Sequence, residues 1–246
     1  MAVSRTCVFC SLAAAVTAFT AAPAASVGFD RPLKSEAIES GEQGEARRTD
    51  CIYYPRFVVT VRYFGKTDRG EVNLVPRSAR FACGDEVAPV EKRLTFARYV
   101  GVKGDFILTD YSYRGKQPTQ FDIFDGRTGG RLISDQMQGE WTLARFTADG
   151  FVLRYRRVFT SDCPLKYGVA TQCWTGIRHA TGLADAMAPD CHALYDARRK
   201  TIQFADQLDA VDRTAVKLTY NAEARYSGGR LSYTALPGTV DCRLAW

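Results

Sequence analysis

From Cys51 onward the chain is a succession of short runs rich in β-branched and aromatic residues, each closed by a turn. The runs read IYYPRFVVTVRYF, RLTFARYV, DFILTDYSY, QFDIFD, EWTLARFT, FVLRYRRVF, CWTGIRHA, TIQFADQL, AVKLTYNAEARY, RLSYTAL and VDCRLAW. The turns include GKTDRG, DGRTGG, ADG and SGG. In the first run Val59, Val61 and Tyr63 alternate with Thr60, Arg62 and Phe64. Residues two apart share one face of a strand, so this pattern makes a ribbon with an apolar side. Many such runs in close succession predict an all-β domain, an antiparallel meander of short hairpins. Helix has almost no place in this reading; TGLADAMAPD has room for one turn, ending at Pro189.

FDIFDGRTGGRLISD, Phe121 to Asp135, shows how one hairpin is written. Phe121, Ile123 and Asp125 fall on one face, Asp122 and Phe124 on the other. Asp125-Gly126 opens the reversal, and Gly129-Gly130 can take the positive φ that a tight turn needs. KGDFILTDY and ADGFVLRY share a Phe–aliphatic–Leu core, with Phe106 and Phe151 separated by 45 positions. That period and the Asp-Gly-x-Thr-Gly turn resemble β-propeller repeats over residues 92–206, although the Trp-Asp dipeptide of many propellers is missing. The resemblance implies a propeller-like arrangement; a β-sandwich or open barrel is the other architecture these strands support.

The first residues, MAVSRTCVFCSLAAAVTAFTAAPAAS, place Arg5 before an apolar run from Cys7 to Thr20 and then supply Ala22-Pro23-Ala24. This is the layout of a signal peptide over residues 1–24. The apolar run falls short of the roughly 20 residues that a membrane helix needs, and no longer one occurs elsewhere. The mature chain is therefore expected in the periplasm or outside the cell, with no membrane span. Residues 25–49 are poor in apolar side chains and read as a flexible segment; residues 50–246 read as a single domain. Loss of the leader removes one positive charge from the formal +6. The mild excess that remains favours attraction to anionic surfaces without arguing for nucleic acid.

Six cysteines remain after the leader: Cys51, Cys83, Cys163, Cys173, Cys191 and Cys242. An even set in an exported chain predicts three disulfides. Cys163 and Cys173 bound one loop and form the first expected pair, followed by Cys191–Cys242 and Cys51–Cys83. A metal site is not expected, since no pair has Cys-x-x-Cys spacing and only two histidines occur.

Motifs for catalysis are sparse. The sequence has no Gly-x-Ser-x-Gly elbow, no Walker loop and no His-Glu-x-x-His. His192, beside Asp190 and Asp196, is a possible general base, and His179 a second. Asp105, Asp110, Asp122 and Asp125 cluster around the central hairpins, and a glycosidase requires two carboxylates about 5–10 Å apart. Acids beside glycine in hairpins are more often turn formers, so the hairpin reads as scaffold.

Binding residues are expected among arginines and tyrosines. Arg154 and Arg156 share one face of FVLRYRRVF, with Arg157 on the other, while Arg198, Arg199 and Lys200 fall in an expected hairpin turn. With Arg62, Arg77 and Arg80 they could attract an anionic glycan, a lipid headgroup or an acidic protein. Tyr111 and Tyr113, beside RGKQPTQ, supply an aromatic face. Trp141 and Trp174 suit core packing. The expected protein is an exported, cofactor-free binder of a protein or glycan partner (an inhibitor, immunity-type or envelope-assembly factor), and not of nucleic acid. Two alternatives are an extracellular hydrolase using paired Asp residues or an Asp–His pair, and a small outer-membrane barrel. The last is suggested by the alternating C-terminus TVDCRLAW with its terminal aromatic.

Overall fold

The alternating runs pair with one another in the order in which they occur. The computed structural model describes residues 28–40, 47–65, 67–77, 81–84, 91–113, 116–165, 171–183, 188–204 and 207–245; the expected signal peptide and Arg80 lie outside the described residues. The strands are β1 (Lys34–Ser40), β2 (Arg47–Tyr53), β3 (Phe57–Phe64), β4 (Gly70–Pro76), β5 (Lys92–Lys103), β6 (Phe106–Tyr113), β7 (Lys116–Asp125), β8 (Arg131–Thr147), β9 (Gly150–Thr160), β10 (Val216–Ser227), β11 (Arg230–Ala235) and β12 (Asp241–Leu244). Neighbours are antiparallel, β1 to β11 follow sequence order across the sheet, and β12 pairs with β10. The result is an all-β meander in one continuous open sheet, neither separate propeller blades nor a closed barrel. The echo between Phe106 and Phe151 has a simpler cause: both rings face one core and meet edge to face at 5.5 Å.

The central hairpin forms as its sequence dictates. The Asp125 amide donates to Gly130 O at 2.8 Å, the Arg127 amide donates to the Asp125 carboxylate at 2.7 Å, and Gly129 takes φ 63°. Strand β5 serves two halves of the sheet. Lys92 to Ala97 pair with β4, and Arg98 to Lys103 pair with β6 across a bulge at Tyr99–Gly101. The half-sheet β1–β4 rests on one face of the remainder, where Phe57, Val59, Val61, Val72 and Leu74 meet Val102, Ile107 and Phe124. That face is called outer below.

On the opposite, inner face, Phe106, Leu108, Phe121, Ile123, Phe151, Leu153 and Tyr155 form a cluster joined by Val100 of β5 and Leu231 and Tyr233 of β11. One cluster fed from both ends of this stretch requires the sheet to curl around it. Residues 171–212 continue the cover with three short helices, α1 (Thr171–Thr181), α2 (His192–Arg199) and α3 (Leu208–Asp212). They correct the expectation of near-absent helix and of strand at CWTGIRHA. Trp174, Ile177 and Thr181 recur at helical spacing and are all buried; Trp174 and Ile177 pack with Tyr195 and Val211 against Val216, Leu218 and Tyr220 of β10.

Residues 25–49, expected to be flexible, contribute β1, the start of β2 and an anchor ahead of them. Phe29 lies where a Cβ at Gly101 would be 2.6 Å from its ring, so only glycine fits there. Asp30 accepts from Lys103 Nζ at 3.0 Å and from the Gly104 amide at 2.6 Å. An edge strand covered on one side tolerates charge on both faces, which hid β1 from the apolar pattern. The three disulfides form as expected, Cys51–Cys83, Cys163–Cys173 and Cys191–Cys242, with Cα separations of 5.8, 6.1 and 5.9 Å. Bridges of this kind persist in an oxidising environment. In the chain-entropy model they contribute on the order of 3–4 kcal/mol each. No helix among the described residues is long and apolar enough to cross a membrane.

One charge pair lies inside the core. Arg157, in phase with Leu153 and Tyr155, is 8 % exposed and donates to Asp135 at 2.8 Å and to the Tyr220 hydroxyl at 3.0 Å. Tyr155 donates to the same carboxylate at 2.6 Å, Tyr233 lies 3.7 Å from the guanidinium carbon, and Tyr220 donates to Thr181 O at 3.1 Å. Burial works against the Arg157 cation, but Asp135 and the surrounding tyrosines outweigh it and raise its pKa. Asp135→Asn would leave a buried cation without its counter-charge and should cost about 3–5 kcal/mol; the joint Asp135→Leu/Arg157→Met change should cost less, as read by urea denaturation. Burial is also the first cause of the raised hydroxyl pKa values of Tyr99, Tyr155, Tyr220 and Tyr233. The folded state favours their neutral form, so this stability is present below about pH 10 and is lost as the unfolded chain ionises above it. The urea midpoint should therefore fall as pH rises past about 10.

Candidate functional site

The outer face is only partly covered by the N-terminal half-sheet, and what it leaves open is built from polar residues. Along β7, Phe124 lies in the cluster beneath that half-sheet, Asp122 comes next, and Gln120 and Pro118 follow on the same face. Cross-strand pairing extends the row: Tyr111 of β6 faces Gln120, and Gln120 faces Gln136 of β8. Arg154, Arg156 and Val158 of β9 are paired with Glu223, Asn221 and Thr219 of β10 on that face. β12 adds Asp241 opposite Thr219 and Arg243 opposite Lys217.

Two neighbouring depressions occupy this strip. The larger, about 240 Å³, is lined by Gln120, Ser134, Asp135, Gln136, Val158, Phe159 and Thr160. The smaller, about 40 Å³, is lined by Pro118, Gln138, Val158, Lys217, Thr219 and Arg243. Val158 borders both. Amides, hydroxyls and cations dominate the lining, and Gln136 Oε1 is buried with no partner among the described residues. A bulge at Gly139–Thr142 interrupts β8 opposite Arg154 and Arg156, turning Trp141 inward onto Phe121 at 5.5 Å. A third depression, about 600 Å³, lies beside Cys83 and is lined by Lys34, Glu36, Ile38, Tyr53 and Phe81 among others.

The expected binding residues divide. Tyr111, Arg154 and Arg156 share the outer face. Burial, and then the neighbouring Asp122 carboxylate, push the Tyr111 hydroxyl up to about 12, and it hydrogen-bonds with Thr95. Tyr113 ends β6 opposite Lys116. Arg198 and Arg199 lie in the last turn of α2, not in a hairpin turn, and α2 covers the inner face; Arg199 pairs with Asp212. Among the other basic residues, Arg62 binds Glu91 at 2.6 Å and Arg77 caps the Tyr54 carbonyl at 3.2 Å. Sequence reasoning missed Lys217 and Arg243, whose meeting depends on the register between β10 and β12.

Among the candidate acids, Asp105 and Asp125 meet at one guanidinium, that of Arg127, which lies 3.8 Å from Asp105. Asp105 pairs with Arg56 at 2.6 Å, Asp110 with Arg98, and Asp125 with Arg127 at 3.4 Å. His192 Nδ1 lies 3.0 Å from Asp196 on the surface of α2. Asp122 is fully buried, and both of its carboxylate oxygens, like the Thr109 hydroxyl across the strand pair, lack a hydrogen-bond partner among the described residues. None of these six residues lines a described depression. The described residues hold no group of three or more metal-ligating side chains.

No protein-family model, curated protein or solved structure matches the chain.

Two expectations follow from the strip itself. Hydrogen bonds from Arg154 and then Arg225, at 2.8 and 2.9 Å, hold the Glu223 carboxyl below its ordinary 4.5. A lowered pKa contributes stability that is present above pH 4.5 and lost as pH falls through the folded value. Glu223→Gln should therefore be less stable than the parent at pH 7, the gap closing as pH falls below 4.5, in denaturation series across pH. Thr109→Val removes a hydroxyl with no partner at nearly constant shape and should leave the urea midpoint unchanged or raised.

Proposed function

We propose that this chain is a non-catalytic binding protein of the periplasm or cell exterior that holds an acidic glycan on the outer face of β7–β10. The observation that carries the reading is the composition of the two adjoining depressions, where Gln120, Ser134, Gln136, Gln138, Thr160 and Thr219 stand beside Lys217 and Arg243. Amides and hydroxyls match the alternating donors and acceptors of sugar hydroxyls, and the cations match uronate or sulfate groups. Arg154, Arg156 and Arg225 extend the positive charge along the strip against Glu223 and Asp241.

A protein partner fits this face less well. Protein interfaces concentrate energy in buried aromatic and apolar anchors, whereas the apolar lining of the two depressions is Val158, Phe159 and Pro118 among a larger number of polar residues. The three disulfides accord with export, since a glycan outside the cytoplasm would be met in an oxidising compartment.

The test is calorimetric titration with polygalacturonate, dextran sulfate and neutral dextran. An acidic polymer should bind and neutral dextran should not. Arg154→Ala/Arg156→Ala should weaken binding about tenfold or more and reduce its dependence on salt. Equal binding of all three polymers, or of none, overturns the reading.

A further inference from the structure

Lys217 and Arg243 are directly opposite each other on β10 and β12, and neither makes an ion pair among the described residues. Like charges directly opposite on antiparallel strands destabilise the pair, and sheets ordinarily avoid the arrangement. The nearby acid does not relieve it, because Asp241 is engaged by Arg156. Both cations line the small depression, about 40 Å³, which Thr219, Gln138, Val158 and Pro118 complete. Thr219 is 4 % exposed, so its side chain has little access to solvent.

We infer that this recess is the seat of a single oxyanion group, a carboxylate or sulfate, bound between Lys217 and Arg243 with Thr219 and Gln138 as hydrogen-bond donors. Resting on the glycan reading, the inference assigns the acidic substituent to the small recess and the sugar to the adjoining larger one. The volumes accord with that division, since the small recess has room for one compact group and the neighbour is about six times larger. The anion offsets the repulsion between the cations, so its binding and the stability of β12 are linked. A single site shared by two cations also favours a compact anion of high charge over chloride.

The experiment measures thermal unfolding of the full mature chain in sodium sulfate, sodium acetate and sodium chloride at matched ionic strength. Lys217→Met, Arg243→Met and the double variant are run beside the parent. Sulfate or acetate at about ten times its dissociation constant should raise the parent's melting temperature by roughly 3–6 °C over chloride. The variants should lose that increment, and without the anion at low salt they should melt above the parent, because the repulsion is gone. A parent with no shift beyond chloride overturns the inference, as does a shift that persists in the double variant. The sulfate and acetate arms identify which oxyanion is preferred, and the polymer titrations then assign its source to a sulfated or a uronate sugar. Polymers that fail to bind while the anion shift survives and depends on Lys217 and Arg243 would sink the glycan reading and leave the anion seat standing. Polymer binding with no anion shift would do the reverse.

Discussion

A guanidinium buried among aromatic rings holds the second half of this fold together. Arg157 enters the inner face in the phase of Leu153 and Tyr155, where an apolar residue would be expected, and meets Asp135 from the adjacent strand. Taking both charges out of water is costly, and the arrangement is tolerable only because the remaining hydrogen-bonding capacity is met by tyrosine hydroxyls. Tyr220 then passes the connection to the Thr181 carbonyl at the end of α1. The network ties β8, β9 and β10 to the helical cover.

That commitment of the inner face leaves part of the outer face open. The N-terminal half-sheet covers one end of it through Phe124 and Ile107, and beyond Asp122 the surface turns polar. Asp122 marks the border between the two regimes, fully buried and two residues from Gln120, which lines a depression. The half-sheet thus acts as a wall beside the candidate site, while the Cys191–Cys242 bridge fixes β12, which carries Arg243, to the start of α2.

The strand alternation was readable in the sequence because each residue reports its own face. That is why the hairpin at Phe121–Asp135, the opposed faces of Arg156 and Arg157, and the disulfide framework emerge without coordinates. The helices were hidden because Trp174, Ile177 and Thr181 sit among residues with strand-like composition; their three- and four-residue spacing was the available signal. Strand β1 was hidden for the opposite reason, since an edge strand needs few apolar residues. The candidate site was readable only in part. Tyr111, Arg154 and Arg156 announce themselves by type, but the opposition of Lys217 and Arg243 is a fact of register between distant segments.

The strictly sequential order of the meander has a consequence for biosynthesis. A chain emerging N-terminus first can add each strand to the one already in place, so little of the sheet waits on distant segments. The exception is β12, which follows β11 in the chain, pairs back on β10 and brings Cys242 to Cys191. Cys191 therefore lacks its native partner until the segment bearing Cys242 has been made. A chain ended before Cys242 would lack that partner, so the Cys191–Cys242 bridge reports that β12 has been made and docked.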